Sequence, residues 1–172
     1  TTSANIYGSY NIKSIYYSAF SPIPDASRAL PLRAPPLMRE HRLYQADWLM
    51  RFYGFDTSEI VDQANPMLAL DIDPKLAWAL RHRNRFPLDI ASASREELLR
   101  VPGFGTKAVD RIIATRRLTS IRAADLARLH IPRNKALPFI ILSDHRPQPQ
   151  LLESAMLAER FKPKAAQLGF GF

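Results

Sequence analysis

The stretch LLRVPGFGTKAVDRIIATRR, residues 98–117, combines two glycines, a lysine and several arginines at spacings suited to holding an anion. Pro102-Gly103-Phe104-Gly105 must reverse the chain between two apolar-periodic segments. Gly103 and Gly105 suit the positive torsions and close backbone approach that so short a turn demands. Phe104, between them, is placed to fill the gap between the two segments. The second segment, from Thr106 to about Arg117, opens with backbone N–H groups that have no carbonyl one turn earlier to receive them. Those amides and the positive end of the helix dipole favour a phosphate. Lys107 brings an ammonium to the same point, with Arg111, Arg116 and Arg117 further along. The turn carries no side chain suited to base edges, so contact with a nucleic acid through it is expected to ignore sequence and weaken with salt. Arg81, Arg83 and Arg85 are candidates for the surrounding basic surface. Each arginine has a plainer alternative as part of a solvated charged face, and the hairpin has one in helix packing or protein contact.

The distribution of charge favours the anion-binding reading. The chain has 24 Lys and Arg against 16 Asp and Glu, a formal net charge of +8. Residues 81–135 hold 13 of the basic groups and five of the acidic ones, so the remaining 117 residues are neutral in sum. There is no cysteine, which excludes disulfides, thiolate zinc sites, cysteine nucleophiles and cysteine-held iron–sulfur clusters on these 172 residues. His41, His82, His130 and His145 are scattered without metal-ligand spacing, and neither a metal site nor a catalytic residue is assigned. Asp125 lies in an Ala-Ala-Asp-Leu-Ala setting unlike that of a glycosylase catalyst, and nothing in the sequence argues for a depressed Lys107 amine. No apolar run approaches the roughly 18 residues of a membrane span, and no signal-peptide pattern opens the chain. A cytoplasmic protein without a membrane partner is expected, and a first residue of Thr1 reads as a fragment.

The elements that must position the hairpin are mostly helical. NIKSIYYSAF at 11–20 reads as a strand apolar on both faces. A proline-rich connection follows, then an amphipathic aromatic helix from about Leu37 to Tyr53 with Gly54 as its stop. Asp56 with Glu59, and Ser94 with Glu97, are capping boxes; Asp73-Pro74 is a further helix start. Short helices are expected near 123–129 and 151–161, with a weaker second hairpin at 129–135. Residues 138–142 read as a strand able to pair with 12–20. The expected fold is thus mostly α with a few β-strands, a hairpin module packed on an aromatic-rich helical region. The expected divisions are 1–72 (the end of an upstream catalytic-type domain and the aromatic helical region), 73–143 (the hairpin module) and 144–172 (a linker and tail).

Residues 98–117 resemble the helix-hairpin-helix motif, with Val101 and Phe104 in place of the usual Leu and Ile. The resemblance implies contact with the DNA backbone through Pro102, Gly103, Phe104, Gly105, Thr106, Lys107, Arg111, Arg116 and Arg117. A wider resemblance covers most of residues 12–142. YYSAFSPIP, PPLMREHRLYQADWLMRFYGF and DPKLAWALRHRNRFPLDIASASREELLRVPGFG together are similar to the C-terminal part of DNA modification or repair proteins of the radical S-adenosylmethionine type. It implies a 4Fe-4S cluster and S-adenosylmethionine in a longer parent, on a three-cysteine motif that this sequence lacks, with this chain binding and the parent catalysing. Within its central block, Glu40, His41, Arg42 and Asp47 read either as substrate or cofactor contacts or as ion pairs between helix and domain. The ending QLGFGF resembles a degenerate peptide for docking on a bacterial sliding clamp, with Gln167, Leu168, Phe170 and Phe172 as anchors. A module that recruits repair or replication proteins through hairpin and tail is the alternative function; an apolar tail packed on its own domain is the alternative for the tail.

Overall fold

Local side-chain chemistry starts three of the helices in the computed structural model, which describes residues 2–10, 12–18, 20–22, 33–153 and 156–162. Helix α1 (Thr2–Ser9) is followed by α2 (Leu37–Phe52), which ends before Gly54 in the left-handed region at φ 68°. Helix α3 (Thr57–Ile60) opens on the Asp56–Glu59 capping box, and α4 (Pro74–Arg81) on Asp73 with Pro74 in its first turn. Strand β1 (Leu88–Asp89) precedes α5 (Arg95–Arg100), whose Ser94–Glu97 capping box is complete in both directions. Helix α6 is Thr106–Arg116, and α7 (Asp125–Arg128) and α8 (Arg133–Ala136) are single turns. Strand β2 (Ile140–Ile141), α9 (Pro149–Glu153) and α10 (Met156–Glu159) complete the order. The fold is mostly α, as the sequence implies.

The strand expected at 12–20 does not form among its described residues. Its backbone is met by tyrosine hydroxyls and an arginine rather than by a ladder. The Ile15 amide donates to the Tyr7 hydroxyl, the Tyr17 amide to the Tyr44 hydroxyl, and Arg51 to the Lys13 carbonyl, which lays the segment along α2. Asp47, buried on α2, accepts from the Tyr7 hydroxyl at 2.8 Å and the Tyr17 hydroxyl at 3.3 Å and pairs with Arg51. The expected strand at 138–142 shrinks to β2, because Leu137–Phe139 is a 3-10 turn. Its partner is β1, in parallel, with Leu88 opposite Ile140 and Asp89 opposite Ile141.

One apolar cluster runs from Ala46 on α2 to Leu157 on α10. Trp78 sits near its centre, 1% exposed, with Phe55 edge-on at 5.4 Å and Phe86 edge-on at 6.3 Å. The Arg100 guanidinium lies over both Phe55 and Trp78 and pairs with Glu59 at 2.8 Å, joining α3, α4 and α5. Phe104 is 2% exposed and wedges the turn between α5 and α6 into this core. Phe104→Ala is expected to lower unfolding free energy by about 3–5 kcal/mol, since it leaves a cavity where the hairpin is anchored. Urea denaturation measures it; a loss below about 1 kcal/mol would mean that the turn is not held through this ring.

Candidate nucleic-acid interface

The turn between α5 and α6 is built from a short set of backbone bonds. The Val101 amide donates to the Leu98 carbonyl and the Phe104 amide to the Val101 carbonyl. Gly103 takes φ 85°, and a Cβ there would stand 3.0 Å from Pro132 Cγ and 3.2 Å from Lys135 Cβ. Glycine is therefore required twice over, by torsion and by room. Gly105 is the N-cap of α6 at φ −92° and offers no side-chain cap. Among the described residues, no hydrogen bond engages the amides of Gly105, Thr106 or Lys107. Three amides at the positive end of an 11-residue helix are thus open to an anion.

The same arrangement at α4 is closed. Leu70-Asp71-Ile72-Asp73-Pro74-Lys75 leads into α4 as Pro102-Gly103-Phe104-Gly105-Thr106-Lys107 leads into α6. Asp73 stands where Gly105 does, and its carboxylate accepts from the Leu76 amide at 2.9 Å. A carboxylate already at the helix start satisfies the dipole and repels a phosphate. Lys75, the counterpart of Lys107, is turned inward: it is buried, donates to the Phe104 carbonyl at 2.5 Å, and lies 4.5 Å from the centre of the Tyr53 ring. The Phe104–Gly105 peptide is trans, so fixing its carbonyl towards Lys75 aims the Gly105 N–H the opposite way. Burial drives the Lys75 amine down from 10.5 to about 7; nearby Asp73 opposes that and Arg100 adds to it.

A further turn connects α7 to α8. His130 adopts φ 59° and Ile131 behind it is buried, as Gly103 and Phe104 are in the main turn. The N-cap of α8 is Pro132, which has no amide to offer. Pro132 and Lys135 abut Gly103, so the two turns are packed together.

Residues 70–118 match the family model of the SAM-like helix-hairpin-helix tandem. The match covers less than a third of the chain and takes in the starts of both α4 and α6. No curated protein and no solved structure matches the chain. Helix-hairpin-helix domains are generally associated with DNA binding independent of sequence. The description concerns the helical tandem and does not bear on radical chemistry.

The basic side chains around this helix-hairpin-helix divide into two groups. Arg116 donates through one nitrogen to the carbonyls of Ile90 at 2.9 Å and Ala93 at 2.6 Å, tying the end of α6 to the turn before α5. Arg81 donates to the carbonyls of Glu59 and Ile60 at the end of α3, and Arg83 to those of Leu80 and Leu152. Arg85 lies over the Trp78 ring at 5.5 Å. Lys107, Arg111 and Arg117 are exposed and have no side-chain partner among the described residues, as are Arg122 and Arg133. On α2, Arg42 donates to the Leu70 carbonyl and to Gln45 rather than to a carboxylate, and Arg39 to the Leu68 carbonyl, so they fix the segment entering α4. Gln167, Leu168, Phe170 and Phe172 lie outside the described residues. No group of three His, Asp or Glu side chains able to hold a metal occurs among the described residues, and no helix there is long and apolar enough to cross a membrane.

Sequence reasoning missed Lys75 and Asp73 as parts of this site. The signal was available in the parallel between Asp73-Pro74-Lys75 and Gly105-Thr106-Lys107. Between pH 7 and 10.5 the unfolded chain keeps the Lys75 proton that the folded chain sheds near 7. Stability should therefore rise with pH across that window, by at most about 1.4 kcal/mol per unit. Lys75→Met should remove that part of the slope in urea denaturation between about pH 7 and 9. Equal slopes for the two proteins would show that the amine titrates normally.

Proposed function

We propose that this region binds DNA through its phosphate backbone, without reading sequence, and tethers a DNA-modifying or DNA-repair enzyme to its substrate. The observation that carries the reading is the open start of α6, where the amides of Gly105, Thr106 and Lys107 lack partners among the described residues. Exposed Lys107, Arg111 and Arg117 add positive charge on the same helix and just past it. The family match over 70–118 supports DNA as the polyanion. The wider resemblance supports a radical S-adenosylmethionine enzyme as the activity served. The residues of this chain do not fit that cofactor set, since a 4Fe-4S cluster needs thiolates and there is no cysteine, so the chain's own part is binding.

The contrast between α4 and α6 supplies the test. Gly105 sits at a negative φ, and among the described residues a Cβ there would meet only the Tyr53 hydroxyl, at 3.8 Å. Gly105→Asp should therefore fold, cap α6 as Asp73 caps α4, and change stability by only a few tenths of a kcal/mol. Fluorescence anisotropy with two duplexes of unrelated sequence is expected to give equal affinities for the natural chain. Affinity should fall steeply between about 50 and 200 mM salt. Gly105→Asp should abolish most of this binding, and Lys107→Glu should also lower the log–log salt slope by about one. Unchanged affinity in a folded Gly105→Asp protein would remove α6 from the interface.

A further inference from the structure

A cavity of about 660 Å3 opens beside the turn, within the size range of small-molecule sites. One wall is the aromatic face of α2, with Tyr44, Trp48 and Tyr53; the other is Gly103–Gly105 together with Lys135 of α8. Gly105 is thus both the cap of the open helix and part of the cavity wall. Among the residues that line the cavity, Trp48 is the large apolar side chain left in water. It is 56% exposed, whereas Trp78 is 1% exposed, and among the described residues its indole meets one aromatic ring, that of the similarly exposed Phe52, at 4.9 Å. A large flat apolar side chain kept in water next to a phosphate-binding turn suits a ligand with a flat face and a negative charge joined by a short link. A nucleotide has that chemistry. Lys135, whose ammonium is half-exposed and 3.5 Å from Asp73, adds a cation at the cavity wall.

We infer that this cavity receives the base of an unpaired nucleotide, stacked against Trp48, while a neighbouring phosphate rests on the amides at the start of α6. The inference rests on the backbone-binding reading of that helix start and extends it from paired DNA to DNA with an unstacked base. A duplex offers its phosphates to the turn but keeps its bases in the stack, so intact duplex uses the turn alone. A bulged or single-stranded site uses both, and gains the stacking contribution. Asp71 is exposed on the cavity wall; Lys162 pairs with its Oδ2 at 3.4 Å, which leaves Oδ1 to accept from the exocyclic amino group of a base and makes adenine a suitable probe.

The test uses a short duplex with one bulged adenosine and the same duplex without the bulge. The full chain is expected to bind the bulged duplex about tenfold more tightly, the size of one base–aromatic stack. Emission from Trp48 should be quenched by the bulged duplex and not by the intact one, with buried Trp78 as an unchanged background. Trp48→Ala, a change at an exposed position, should erase the preference and the quenching. Equal binding of both duplexes with unquenched emission would overturn the inference while leaving the backbone reading intact. Binding of neither duplex would remove both. A preference that persists in Trp48→Ala would place the base elsewhere and also overturn it.

Discussion

A single buried amine ties the turn between α5 and α6 to the rest of the molecule. The Lys75 side chain leaves α4, crosses under the turn between α5 and α6, and ends against the Phe104 carbonyl and the Tyr53 ring of α2. A polar group in such a place is stable only with partners, and its partners come from two other parts of the chain, the turn after α5 and the end of α2. Asp73, next to it, reaches α8 through Lys135. The turn that faces solvent is thereby fixed from behind. Its outward amides are aimed because the peptide carrying the Gly105 N–H has its carbonyl fastened inward.

The two helix starts within the tandem match differ in how their amides are met. At α4 the anion is supplied by the chain itself, as Asp73, and the lysine two residues on is turned into the core. At α6 glycine leaves the amides open and the corresponding Lys107 is exposed. One helix start is closed by its own carboxylate and the other is left open. The arginines divide in the same manner: Arg81, Arg83, Arg100 and Arg116 satisfy internal carbonyls, carboxylates or rings, so the net charge overstates what a polyanion meets.

Features set by neighbours in sequence were legible before any coordinates. Ser94 with Glu97, Asp56 with Glu59, Asp73 before Pro74, and Gly54 each act within about one turn of backbone, so residue type and spacing suffice. The hairpin was legible for the same reason. What was not legible depends on distant partners. Residues 12–20 have the composition of a strand, but the backbones of Ile15, Tyr17 and Lys13 bond to Tyr7, Tyr44 and Arg51. Leu88–Asp89, not 12–20, pairs with Ile140–Ile141 because α5 to α8 fold back between them and bring those ends together. Nothing local separates Arg116, engaged with Ile90 and Ala93, from Arg117, which faces solvent one residue on. Lys75 reads as an ordinary surface lysine until the Phe104 carbonyl is seen above it.

The contact between Gly103 and Pro132 has a geometric consequence. With no space for even a methyl group between them, the two turns cannot pivot independently. A nucleic acid seated on the first turn therefore meets the second at a set bearing. The pair of turns thus presents one rigid edge, whose two ends keep a fixed spacing and bearing whatever lies against it.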